Sequence, residues 1–424
     1  MRQLLIALAL FAVLTIALAQ EPQRLTLDDC VRLALQRNPR LAVARYAREI
    51  QLVQLERERP TGLHPEVKLQ ASQTLTTPQV HFPNAAGPLV TPFARPAVGV
   101  TFSQTVLHFG ARKAGQRAQT IEKALDHDRR KVEAEVVFDV KKVCFNLQTA
   151  IAMVAVARDA VKQVEAHLKV ARAAVEAGMA MPLDVKRAEL ELANLQSGVV
   201  KAENGVALAL ANLNRQIGRG LDEPLAVAEL KQLPDPPAPL EQAVATALKQ
   251  RHELSALRET IKALETSVGL AKSQKLPTAA VRGGVLHQRD SAFTKSPSVI
   301  AALEFSLPLF DHKTALEVRE VRARLAQMQS QLIEAETGIA LEVRQAWLNV
   351  QEARYRVGAL PTSIAVAAEA LRIAELRFAN GRALHLEVTD ARLQHRKARA
   401  DLVQAEFDLH SAAAELEKAT GATR

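Results

Sequence analysis

The chain has 424 residues, 48% hydrophobic, 24% charged and 4% aromatic, a balance that excludes a disordered or collagen-like polypeptide. Its two cysteines, Cys30 and Cys144, rule out a disulfide-dense scaffold and a Cys-rich zinc module. The net charge of +9 comes from 55 basic against 46 acidic residues, which reads as mixed, solvated helix faces and not as a nucleic-acid surface.

Met1-Arg2-Gln3 is a short basic start, Leu4 to Leu18 is apolar apart from Thr15, and Ala17-Leu18-Ala19 is a small-x-small cleavage pattern. That order predicts a signal peptide at 1–19 and export from the cytosol. The alternative is a membrane anchor, although a run of about fifteen residues is short of the roughly twenty a crossing helix needs. No cysteine stands at the cleavage point to carry a lipid.

A first unit, 20–218, opens with a short helix, Leu25 to Arg37, broken by Asn38-Pro39 because proline restricts the residue before it. A second helix at about 41–59 ends before Pro60, and two alternating runs predict strands at about 66–76 and 97–107 around a turn-rich loop, 77–96. A long helix at about 111–177 shows 3-4 apolar spacing, as in Val136, Val140, Val143 and Leu147. It ends at Gly178, and a returning helix occupies about 182–217.

A Pro-rich linker, 219–238, leads to a second unit, 239–421, with the same order of parts. Its helices are expected at Leu240 to Gln250 and 254–275, its strands at about 278–288 and 299–309, its long helix at about 313–379 and its return at about 384–420. The seam returns 203 residues later, Val132 as Ala335 and Val175 as Phe378, and Gly178 and Gly218 return as Gly381 and Gly421. This predicts an internal duplication of a mainly α chain with a small β part. Pro361 should kink the second long helix or end it one residue earlier.

Four strands cannot close a barrel, and an open edge is excluded in lipid. Strands of about ten alternating residues suit an outer membrane, so closure would take strands from other copies, twelve in a trimer. A small soluble hairpin domain capping a helical bundle is the competing reading. No phosphate loop, nucleophile elbow or H-E-x-x-H stands in the sequence, the histidines are scattered, and the cysteines read as buried apolar residues. No catalytic, cofactor-binding or metal site is expected.

With its duplicated order and its tip sequences, Glu176 to Val185 and Arg377 to Val388, the chain resembles the TolC family of outer-membrane efflux proteins. Leu-Thr-Leu-Asp-Asp at 25–29 and Ala-Leu-Gln-Arg-Asn-Pro at 34–39 also look like that family's opening. The family has Asp-Val six residues after each tip glycine; the first tip keeps it at Asp184, and the second has Glu387 instead. The resemblance implies a homotrimer with a twelve-stranded β-barrel in outer-membrane lipid and a helical tunnel across the periplasm. It implies a periplasmic adaptor and an inner-membrane pump (resistance-nodulation-division, ABC or major-facilitator type), serving efflux or type I secretion. A periplasmic adaptor or a soluble structural coiled-coil protein are the alternatives; neither is expected to show a whole-chain duplication with two strand pairs.

Two sites follow. Gly178, Gly381, Asp184 and Arg382 mark the tips as the adaptor-docking surface. In the family the second returning helix carries acidic residues six and nine places after the tip glycine, facing the tunnel mouth; here they are Glu387 and Asp390. Rings of like charge would disfavour closure unless a basic partner, with Arg382 and Arg392 as candidates, offsets them. The first repeat has Asp184 and Arg187 at those places. The plainer alternative is that Glu387 and Asp390 stabilise a helix N-terminus.

Overall fold

The computed structural model describes residues 24–58, 66–75, 80–81, 89–90, 94–178, 180–228, 232–288 and 297–422. The expected signal peptide, Met179 and most of the two strand-connecting loops lie outside them. The chain divides into two compact units, one of residues 1–46, 128–254 and 335–424, the other of residues 47–127 and 255–334.

The helices are α1 (Leu27–Arg37), α2 (Pro39–Glu58), α3 (Ala111–Glu176), α4 (Pro182–Ile217), α5 (Leu240–Gln250), α6 (His252–Ser273), α7 (His312–Ala379) and α8 (His385–Thr420). Within the first unit, Cys30 and Ala34 of α1, Val136, Val140, Cys144 and Leu147 of α3, and Ala209, Leu213 and Ile217 of α4 share one core. Val350, Ala353 and Val357 of α7 pack likewise on Ala405, Leu409 and Ala412 of α8. These are the 3-4 spaced positions, so one stripe of each helix is buried. α4 and α8 end in the same way, with Gly218 at φ 73° and Gly421 at φ 74°. The following amides, Arg219 and Ala422, donate back to the carbonyls of Asn214 and Glu417 at 2.8 and 3.1 Å.

The expected helix start at Leu25 is displaced. Thr26 caps α1 through the Asp29 amide at 3.2 Å while the Asp29 carboxylate accepts from the Thr26 amide at 3.1 Å. Leu25 is therefore extended, and β1 (Arg24–Leu25) pairs in parallel with β6 (Ala226–Val227) beyond α4. Of the kink or end expected at Pro361, the end is not found, since α7 runs through it. One backbone bond is lost there, Pro361 is exposed, and buried contacts hold the helix on both sides of it, at Val357 and at Leu371.

The second unit carries an antiparallel sheet in the order β2 (Glu66–Leu75), β5 (Ala94–His108), β7 (Thr278–Gln288), β8 (Ser298–Ser306). A two-residue pair, β3 (Val80–His81) with β4 (Leu89–Val90), lies between β2 and β5 in the chain. β8 stops short of the expected 309. Pro308 follows it, without an amide to donate.

Register sorts the side chains by face. Val67 lies opposite Phe102, Leu69 opposite Val100, Val100 opposite Val285, and Val285 opposite Val299. Phe305, two strand positions beyond Leu303, shares that face, and Leu69, Val299 and Phe305 are 75%, 78% and 69% exposed. The other face carries Glu66, Lys68, Thr101, Ser103, Arg282 and Glu304, with Lys68 paired to Glu66 and Arg282 to Glu304 at 2.7 and 3.0 Å. The sheet is apolar on one side, polar on the other, and exposed on its apolar side.

Candidate functional site

The two helix tips bring most of the sequence-singled residues together. At the first, the Gly178 amide donates to the Val175 carbonyl at 3.0 Å with φ 71°; at the second, the Gly381 amide donates to the Phe378 carbonyl at 3.0 Å with φ 65°. A β-carbon at either glycine would meet nothing within 4 Å. Both turns therefore need the left-handed backbone, but neither needs glycine for space.

The returning helices start alike. The Met181 amide donates to the Asp184 carboxylate at 3.1 Å, and the Leu384 amide to Glu387 at 3.3 Å. Met181 and Leu384 have no hydroxyl to complete a reciprocal cap, so each carboxylate supplies half of one. Beside these carboxylates stand exposed apolar side chains: Met181 and Leu183 on the first tip, Leu384 and Leu386 on the second.

The charge pattern differs from the expected one. Glu387 pairs with Arg377 at 3.4 Å, between two half-exposed side chains. Arg392 instead binds Glu375 through Nε and Nη2 at 3.3 and 2.9 Å and is itself 5% exposed. Arg382 is exposed; its amide donates to the Arg377 carbonyl at 2.8 Å, and its carbonyl accepts from Arg377 at 3.4 Å. Asp390 and Arg187 are exposed. Glu387 thus caps its helix, as the plainer reading expected, while Asp390 lies one turn on.

Beneath the second tip is a buried imidazole pair that sequence reasoning missed. His167 Nε2 and His385 Nδ1 lie 3.1 Å apart, Thr389 Oγ1 is 3.2 Å from His385 Nε2, and the His167 ring lies against Phe378 at 5.1 Å between centroids. Burial, with Arg392 and His385 adding to it, holds the His167 imidazole down at about 3. His385 is lowered too, again chiefly by burial. Through Phe378 the rings lie against a small core of Ala171, Leu371, Ala374, Phe378 and Val388. Among the described residues no group of three or more His, Cys, Asp and Glu is arranged to hold a metal.

The Glu375–Arg392 pair had a signal. It stands 203 residues after Arg172–Glu189, which is bonded at 3.0 Å, with the charges exchanged. The offset applied to charged residues as well as apolar ones would have found it. The histidine pair had none, because His167 and His385 are 218 residues apart and neither repeats.

The chain matches the family described as "Outer membrane efflux protein" over residues 30–219 and 243–422. It is 24% identical over 259 residues to the outer membrane efflux protein BepC of Brucella suis biovar 1 (strain 1330). That match takes in 60% of this chain and spans 56% of the length of the relative. Among solved structures, the open state of the Neisseria gonorrhoeae MtrE outer membrane channel is similar at a TM-score of 0.74 and 21% identity, covering 93% of this chain and 88% of that one. The Campylobacter jejuni CmeC outer membrane channel is similar at 0.75 and 17%, covering 93% and 85%. The Vibrio cholerae outer membrane protein VceC is similar at 0.74 and 18%, covering 93% and 96%. At these identities the structures bear on the fold.

Proposed function

The chain belongs to the outer membrane efflux protein family, and on that premise we propose that three copies form the passive outer-membrane duct of an efflux assembly. Its place is the outer membrane. The observation that carries the reading is the sheet with one exposed apolar face and one polar face. Lipid accepts the first, a water-filled lumen the second, and only closure satisfies the edges. Four strands from each of three copies make a barrel of twelve.

A second feature supports association. On α7, Leu341, Leu348 and Tyr355, then Val366 and Ile373, recur at seven-residue steps and are exposed, a stripe suited to a neighbouring helix. The duct supplies no energy; an inner-membrane pump would, through a periplasmic adaptor. The tips are the docking surface we propose for that adaptor, with Met181, Leu183, Leu384 and Leu386 as apolar contacts around Gly178, Gly381, Asp184 and Arg382. Glu387 and Asp390 would form three-fold acidic rings at the mouth, with Arg377 as the offsetting cation. A half-exposed pair of that kind contributes at most about 1 kcal/mol, so a docking partner could displace it.

Mass measurement in mild detergent, on protein from the outer-membrane fraction, tests the assembly. A trimer is expected; a monodisperse monomer that still inserts into lipid overturns the reading.

A further inference from the structure

Cys30 and Cys144 are the only cysteines in the chain. They lie 114 positions apart, yet α1 and α3 bring them into one core, each 0% exposed. Both are free thiols in the structure. The second half packs its corresponding helices without sulfur. α5, of the same 11-residue length as α1, has Ala243 where α1 has Cys30, and α7 has Trp347 203 residues after Cys144. Apolar packing at these places therefore does not require cysteine.

An outer-membrane protein crosses the periplasm, where thiols are kept oxidised. We propose that Cys30 and Cys144 form an intramolecular disulfide that staples the first short helix to the first long helix. The inference rests on the outer-membrane location. The oxidant is the disulfide of a periplasmic thiol–disulfide exchange protein. One cysteine, as thiolate, attacks that disulfide, forming a mixed disulfide and releasing one oxidant sulfur as thiolate. The second cysteine then attacks the chain's own sulfur in the mixed disulfide. The Cys30–Cys144 bond forms, the oxidant bond breaks, two electrons pass to the oxidant, and the two thiol protons end on its reduced pair.

The order of events follows from burial. In the folded chain both cysteines are fully buried, out of reach of a protein oxidant. Oxidation therefore precedes closure of this core, and the closed core then shields the bond.

The test uses full-length wild-type protein extracted from the outer-membrane fraction with N-ethylmaleimide present, then denatured and weighed intact. No adduct is expected before reduction and two after it. Tryptic digestion without reduction should join the peptide 25–32 to the peptide 143–158. Two adducts before reduction, or a bond linking two chains, overturns the proposal. Absence of the protein from the outer-membrane fraction would instead overturn the location on which it rests.

Discussion

Gly218 and Gly178 hold nearly the same backbone angle, φ 73° and 71°, yet alanine should cost far more at Gly218. An L-residue in the left-handed region costs about 1–2 kcal/mol, the same at both places. At Gly178 nothing is added, because the new β-carbon points into open space. At Gly218 it would lie 2.7 Å from the Arg37 carbonyl oxygen and 2.9 Å from the Arg37 β-carbon. That neighbour is backbone at the end of α1 and cannot swing aside. Backing it off would strain the bond from Asn38 Nδ2 to the Gln216 carbonyl, now 2.8 Å. Such overpacking adds about 1–3 kcal/mol, giving roughly 2–5 kcal/mol at Gly218 against about 1–2 at Gly178. Heat unfolding in mild detergent, followed by circular dichroism at one fixed scan rate, compares the two. Asparagine, which tolerates the left-handed region, should recover most of the loss at Gly178 and little at Gly218. Equal losses for the two alanine variants, or full rescue by asparagine at both, would refute the steric account. The same arithmetic makes Gly178→Trp a probe of docking, since reduced export at normal trimer abundance then reports a missing partner contact.

Acidification should loosen the second tip. His167 has a folded value near 3 against 6.5 when free, so between those limits the unfolded chain binds more protons and stability falls as pH falls. The slope approaches about 1.4 kcal/mol per pH unit; amide protection factors in the first turns of α8, which divide out the base catalysis of exchange itself, should be lower at pH 5 than at pH 7, and His167→Gln should flatten the difference. Replacing Glu387 and Asp390 together by alanine should abolish block by divalent or trivalent cations added on the periplasmic side of a planar bilayer, and block equal to wild type would leave Glu387 only its capping role. Glu375→Arg and Arg392→Glu should each destabilise, and their combination, which restores the polarity of Arg172–Glu189, should recover about 1 kcal/mol or more in a double-mutant cycle. Leu213→Ala, at a side chain with 0% exposure, should cost about 2–5 kcal/mol in the same unfolding measurement.

What could be read from the sequence was whatever repeats locally. The 3-4 seam marks Val136, Val140 and Leu147, and all three are buried; the tip glycines mark turns that need a positive φ. A seam names a face and not its partner. The His167–His385 contact and the β1–β6 pairing are products of chain segments meeting across long separations, whereas the choice of Arg377 over Arg382 or Arg392 as the cation for Glu387 is set by the geometry of one tip turn. Of the two outcomes expected at Pro361, the end is not taken, for a related reason. A local rule judged one missing hydrogen bond, while the helix is held by packing on both sides of the proline.

The strand order has a consequence for symmetry. The two free edges are β2 and β8, which are different strands, so an isologous dyad joining β8 to β8 would leave both β2 edges bare. Every strand runs opposite to its neighbour, so with four of them β8 of one copy would meet β2 of the next antiparallel in the proposed barrel, in a heterologous contact that could repeat around a ring of any number. Alternating dyads would also consume every edge, but only in even rings with successive copies inverted. The register puts Glu66, His108, Thr278 and Ser306, the strand ends that lead to the helices, at one end of the sheet. Inverted copies would therefore send helices to both sides of the bilayer, which the proposed one-way duct does not allow. If the proposed barrel forms, head-to-tail closure is what remains, and a substitution on either edge strand then acts at every seam of the ring at once.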